Sequence, residues 1–291
     1  MTICASVLAA NSKAIVCIAD KALTFESGQE GGPPLQSIQW DSDSSKLVPL
    51  NQKGFLCAFS GSEDGISRVL SNLLARDSLG ATALEVRNTV ELAFKESLEE
   101  LINLRILQPN LLTRAGYLTA ISHEKVNPFM QQLAARIDSF DLNCDMLISG
   151  FDSLGKPFIH YAVSRGVVDD MARTGFQAIG SGWPYVHAKL LWSDHERSHG
   201  IGRVLFDVFD AKASAEMDPH VGYEWDAHVI VMHDDGPKHV SVPKPVKNLI
   251  EAGWRKFVRS PFEKRNRKTD LPDPPEDWKE KLQKYGEKLL P

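Results

Sequence analysis

The first twenty residues, MTICASVLAANSKAIVCIAD, limit the folding options of this chain more than any other stretch. Residues 3–10 and 14–19 are two apolar runs of strand length, rich in small and β-branched side chains. Asn11-Ser12-Lys13 stands between them as turn chemistry. The spacing predicts a hairpin whose far end returns to the chain start and finishes at Asp20. Thr2 is then held on the rim of a buried sheet. If Met1 is trimmed, as small second residues generally permit, Thr2 carries a hydroxyl nucleophile and a free amine with a pKa of about 8 on one residue. A Met-Thr start says little by itself, because most such threonines have no chemical role. The rest of the chain has to supply the context.

No positive charge precedes the first apolar run and Lys13 soon interrupts it, so a secretory signal is not expected. No later stretch approaches the roughly 18 apolar residues of a membrane span, and a soluble protein is expected. The net charge of -5 and pI near 6.0 argue against nucleic acid or an anionic membrane as partner. Cys4, Cys17, Cys57 and Cys144 lie in apolar runs without C-x-x-C spacing. They read as buried free thiols in a reducing cytoplasm rather than disulfides or zinc ligands.

Residues 24–43, rich in Gly, Pro, Ser and Gln, read as a surface loop. Residues 46–50 and 55–60 form a second hairpin, and Ser60-Gly61-Ser62 turns the chain into a helix starting near Glu63. Apolar spacings of 3 and 4 predict two helices, over Ile66–Leu74 and Leu84–Ile102 in outline, joined at Asp77-Ser78-Leu79-Gly80. Residues 108–127 resist assignment, and 129–137 form a short helix. Strands follow over 146–151, 157–161 and 166–171, and a further strand enters Gly180-Ser181-Gly182. Helices over 185–192 and 201–216 precede closing strands over 225–232 and 239–242. Helices in consecutive pairs do not suit a doubly wound parallel sheet. They suit an α+β, four-layer αββα sandwich of two stacked antiparallel sheets, each covered by a helix pair. Residues 2–243 form this unit. Residues 244–291 are read as a helix over 246–258 and a charged, proline-containing peripheral tail, whose cluster Lys264-Arg265-Asn266-Arg267-Lys268 is a solvated surface.

Four local patterns in this order resemble the proteasome β-subunit-like branch of the N-terminal nucleophile (Ntn) hydrolases, which includes HslV-type and Anbu-like proteins. They are Thr2 through Asp20, Lys46-Leu47-Val48-Pro49-Leu50-Asn51, Ala58-Phe59-Ser60-Gly61-Ser62-Glu63-Asp64, and Ala178-Ile179-Gly180-Ser181-Gly182. The resemblance spans about residues 2–242. It implies a threonine peptidase in which Thr2 attacks an acyl carbon, its amine accepts the proton, and Lys46 holds a positive charge beside it, oriented by Asp20. Backbone N–H groups at Ser60 and Gly61 would receive the oxyanion. Ser60 stands where the family usually has glycine, and the added side chain narrows that pocket.

The resemblance further implies that Ser181 tunes the amine, although an N-cap role before Trp183-Pro184 explains it equally well. Asp218 falls where the family has another acid, but Val221 stands where many members have serine. No cofactor or metal is expected. Asp194-His195-Glu196-Arg197-Ser198-His199 reads as an exposed loop rather than a zinc site, and His160, His187, His228 and His233 as isolated core or edge residues. A peptide or unfolded protein is the implied substrate and a homo-oligomer, ring-like by family, the implied assembly; an ATP-dependent unfoldase stays unspecified. Two alternatives stand beside it: an amidase for small molecules on the same fold, and a catalytically silent scaffold or binding subunit.

Overall fold

The computed structural model describes residues 2–25, 38–41, 45–50, 54–122, 127–257 and 274–291. The opening hairpin consists of β1 (Cys4–Ala9) and β2 (Ala14–Asp20), paired antiparallel with Cys4 opposite Ala19 and Ala9 opposite Ala14. Ala10, Asn11 and Ser12 take left-handed backbone angles at the turn. Both strands are buried along their whole length, which is why neither shows polar alternation.

The remaining strands are β3 (Ala22–Phe25), β4 (Ile38–Asp41), β5 (Leu47–Leu50), β6 (Phe55–Gly61), β7 (Cys144–Phe151), β8 (Pro157–Val163), β9 (Val167–Asp170), β10 (Phe176–Ile179), β11 (Trp225–His233) and β12 (Gly236–Ser241). One five-stranded sheet has the order β10-β1-β2-β11-β12, the other β5-β6-β7-β8-β9, and every adjacent pair is antiparallel. β3 and β4 form a separate ribbon. Residues 24–25 and 38–41 of the segment expected to be a loop are therefore strand; residues 26–37, with Gly31-Gly32-Pro33-Pro34, and 42–43 lie outside the described residues, as does the turn Asn51-Gln52-Lys53.

The sheets stack through one face each. Cys4, Leu8, Ile15 and Cys17 of the first meet Leu56, Ala58, Leu147 and Ile159 of the second. Alternate residues point outward. Ala5, Val7 and Val16 pack under the helix pair α5 (Trp183–Trp192) and α6 (Ile201–Ala215), whereas Phe55, Cys57 and Ile148 pack under α1 (Glu63–Leu74) and α2 (Ala83–Ile102). The result is the four-layer α+β sandwich, with period-2 alternation serving two cores at once. α2 starts at a capping box, Thr82 with Glu85. Ser62 occupies the N-cap position of α1, but its side chain makes no capping bond.

Residues 103–122, largely unassigned from sequence, hold a π-helical turn, a 3-10 turn and α3 (Arg114–Ile121). With α4 (Pro128–Asp138) they enclose a satellite core around Ile106, Leu107, Tyr117, Met130 and Leu133. At the other end, α7 (Lys244–Phe257) is followed by α8 (Trp278–Leu289). The tail was expected to be peripheral; its described part is not. Trp278 and Leu282 join the core beneath α6, and Trp254 Nε1 donates to Asp210 Oδ1 at 2.8 Å. The basic cluster 264–268 lies outside the described residues. No helix among the described residues is long and apolar enough to cross a membrane.

Candidate active site

The β1–β2 pairing extends past the strand ends. Asp20 N donates to the Ile3 carbonyl at 3.0 Å, and Ile3 N donates to Asp20 Oδ1 at 3.0 Å. This crossing sets the Asp20 carboxylate beside the Thr2 side chain, whose hydroxyl donates to Oδ1. Lys46, immediately before β5 in the other sheet, reaches across. Its Nζ donates to the Thr2 hydroxyl and, at 2.9 Å, to Asp20 Oδ1. Thr2, Asp20 and Lys46 are only 3%, 0% and 7% exposed. Either charge alone at that depth would cost several kcal/mol, so each requires the other. The three residues expected at the centre of the site are brought together here by both sheets.

The Gly180-Ser181-Gly182 corner closes one side. Ile179, the last residue of β10, pairs with Cys4, and Gly180 follows with φ +89°. A Cβ at Gly180 would lie 2.0 Å from the Thr2 carbonyl oxygen, so only glycine lets the corner come this close. Ser181 Oγ is buried without a hydrogen-bond partner among the described residues. It is not a helix cap, since Gly182 holds the N-cap position of α5 and no side chain caps it. A buried hydroxyl left unpaired points to a partner group that remains to be supplied.

Ser60 and Gly61 end β6, and the Phe59 carbonyl there accepts the Cys4 thiol at 3.5 Å, which ties this strand end to the start of β1. Gly61 has φ +111°, and a Cβ would fall 2.1 Å from the Asn143 carbonyl oxygen. Among the described residues neither Ser60 nor Gly61 hydrogen-bonds to Thr2. Asp218 is not joined to the cluster either. Its Oδ1 accepts from the His220 amide at 2.9 Å, closing a turn within its own segment.

Sequence reasoning missed Gly222, whose N–H donates to Asp20 Oδ2 at 2.9 Å. Asp20 thereby accepts from Thr2, Ile3 and Lys46 on one oxygen and from Gly222 on the other. Cys4, adjacent to the cluster, is not a rival nucleophile: burial pushes its thiol up to about 12, so it stays protonated. All four cysteines are free and buried. Among the described residues no group of three or more His, Cys, Asp or Glu could hold a metal ion. Residues 194–199 are a mostly exposed loop, as expected, within which His195 and His199 are half buried, His195 against Phe176. His228 is not isolated, because it stacks on His239 at 4.5 Å between ring centroids.

No protein-family model and no curated protein matches this sequence. Solved structures do match. Anbu, described as an ancestral β-subunit, from Yersinia bercovieri is 12% identical and aligns with a TM-score of 0.57 over 91% of this chain and 100% of its own. A Gly-1 mutant of Anbu from Hyphomicrobium sp. strain MC1 is 15% identical, with a TM-score of 0.55 over 92% of this chain and 99% of its own. The fold is therefore that of these Anbu structures, in keeping with the resemblance read from the sequence.

Proposed function

We propose that this chain is a threonine-type Ntn hydrolase that cleaves peptide amide bonds after Met1 has been removed. The observation that carries the reading is the position of the Thr2 hydroxyl, buried between the Lys46 ammonium and the Asp20 carboxylate. An ammonium at hydrogen-bond distance favours the alkoxide over the hydroxyl, and the carboxylate keeps that ammonium oriented. The base is the freed Thr2 amine, directly or through a water. Ser181 Oγ, which has no partner among the described residues, is the group assigned to orient this amine.

In the first step Thr2 Oγ attacks the substrate carbonyl carbon and its proton passes to the amine. The oxyanion is assigned to the backbone N–H groups at Ser60 and Gly61. Collapse breaks the C–N bond, and the ammonium returns its proton to the departing amine, leaving an ester on Thr2. Water, deprotonated by the same amine, hydrolyses the ester and restores the hydroxyl. Asp218, held by its own turn, is assigned to loop shape rather than proton transfer. We place the enzyme in a reducing compartment such as the cytoplasm and in a homo-oligomer, with the exposed Leu191 and Trp192 at the end of α5 as candidate contacts.

The test compares wild type with Thr2→Ala on a peptide library, alongside the intact mass of the purified protein. Loss of Met1 from the mass and hydrolysis by wild type alone are expected. Retained Met1, or equal hydrolysis by the two proteins, overturns the reading in favour of a scaffold. Turnover confined to small amides would make it an amidase. Light scattering that gives a monomer at micromolar concentration removes the oligomer.

A further inference from the structure

A second lysine is buried more completely than Lys46 and has no part in the chemistry just described. Lys212, on α6, is 0% exposed. Its Nζ donates to Glu216 Oε1 at 2.6 Å, to the Gly222 carbonyl at 2.6 Å and to the Tyr223 carbonyl at 2.8 Å. Three N–H donors meet three acceptors, two of them backbone carbonyls of the segment that leads into β11. Gly222, whose carbonyl takes this bond, is the residue whose N–H donates to Asp20 Oδ2. Val221, beside it, is in contact range of Gly182 next to Ser181, with a Cβ at Gly182 lying 3.0 Å from Val221 Cγ2. The 216–223 segment thus meets the cluster at Asp20 and the serine corner at Gly182, and is itself tied to α6 through Lys212.

We propose that Lys212 is a positioning residue for the Thr2 site: its ammonium holds the Gly222 carbonyl and thereby, across the Gly222 Cα, the N–H that orients the Asp20 carboxylate. The catalytic consequence rests on the reading of Thr2 as nucleophile; the clamp itself does not. Without Lys212, Asp20 Oδ2 loses its fixed donor. The carboxylate then turns more freely, and Lys46 and the Thr2 hydroxyl share its disorder. Misplacement of about 1 Å is enough to slow a positioned reaction by around 100-fold. The proposal gives Lys212 no substrate contact, so the effect falls on the chemical step.

The experiment uses the full chain with Lys212→Met, which keeps the length and removes the donors, and the milder Glu216→Gln. The first measurement is hydrogen–deuterium exchange of the peptide containing Gly222. Faster exchange in Lys212→Met, with little change in Thr2→Ala, is expected; unchanged exchange overturns the clamp. The second is covalent labelling of Thr2 by a peptide vinyl sulfone, in which Oγ adds to the alkene carbon and the proton passes to the neighbouring carbon. A fall in kinact of tenfold or more at a KI within about twofold of wild type is expected for Lys212→Met, and a smaller fall for Glu216→Gln. Faster exchange with unchanged kinact overturns the positioning role, as does a change in KI alone. If Lys212→Met does not fold, Glu216→Gln decides both measurements, and wild-type values in it overturn the proposal. If wild type itself is not labelled, the nucleophile reading fails, and the exchange result still upholds or rejects the clamp.

Discussion

Two lysines serve one carboxylate from opposite sides, and they are used differently. Lys46 divides its donors between Asp20 and a hydroxyl. Lys212 meets a carboxylate and two carbonyls, none of which has a proton to give. The first arrangement leaves a proton that can leave, because an ammionium beside a hydroxyl lowers the cost of the alkoxide. The second holds two backbone carbonyls in place. Both are buried, Lys212 the more completely, so burial does not tell a reactive cation from a structural one; the acidity of its partners does.

The largest effect that can break this comparison is Lys46→Met. Peptide hydrolysis is expected to fall by about a thousandfold or more, since the hydroxyl loses its only described cation. Stability falls as well, by about 3–5 kcal/mol, because Asp20 stays buried without its partner. Adding Asp20→Asn to it should recover most of the urea midpoint and none of the activity. If the double variant hydrolyses peptide near the wild-type rate, Lys46 is no more reactive than Lys212.

Next in size is Gly180→Ala. The added methyl lies 2.0 Å from the Thr2 carbonyl, at a φ that side chains rarely adopt. Activity should drop about 100-fold through displacement of Thr2, with a lower melting temperature. Gly200→Ala, where nothing lies within 4 Å of the added methyl, is the matched control and should stay close to wild type in melting temperature. Equal behaviour of the two would show that the corner does not position Thr2.

The two lysines also differ in how far sequence alone reveals them. Lys46 was legible because it opens a strand in a pattern that also contains Thr2 and Asp20. Lys212 was not, although a signal existed: it continues the stripe Leu205, Val208 and Phe209 at spacings of 3 and 4, where a charge is out of place. Gly222 left no trace, since its contribution is a backbone N–H that every residue but proline carries. The helix pairs and the strand order followed from periodicity. The β3–β4 ribbon did not, because glycine- and proline-rich flanks masked two four-residue strands. The α8 helix was hidden by its charge, although Trp278 and Leu282 are buried in the core and Tyr285 and Leu289 pack against it.

A buried base hydrogen-bonded to another base, His228 with His239, sharpens the contrast with the two lysines. His228 is pushed down to about 4, first by burial and then by His239, while Asp226 opposes the shift and Lys247 adds to it. A histidine neutral in the fold and protonated in the unfolded chain contributes stability in full above the unfolded value of about 6.5. That contribution is lost as pH falls from there towards about 4. At pH 5 the loss from this residue is on the order of 2 kcal/mol. Melting temperature should therefore decline between pH 7 and 5, and His228→Gln should flatten the decline. A curve as steep in that variant as in wild type would assign the acid sensitivity elsewhere.

The smallest predicted effect concerns Asp218, and it matters because family position and geometry disagree there. By position the residue matches an acid near the nucleophile; by geometry its Oδ1 is occupied by the His220 amide two residues on. A carboxamide oxygen accepts the same bond, so Asp218→Asn keeps the turn and removes only the charge. If the charge has no part in proton transfer, hydrolysis should stay within about threefold of wild type at neutral pH, a difference below 1 kcal/mol. Asp218→Ala, which loses the turn, should cost more, because a looser 216–223 segment weakens the hold of Gly222 on Asp20. The opposite ranking, with Asn as damaging as Ala, would make Asp218 a charged participant and move the division between reactive and structural groups away from the two lysines.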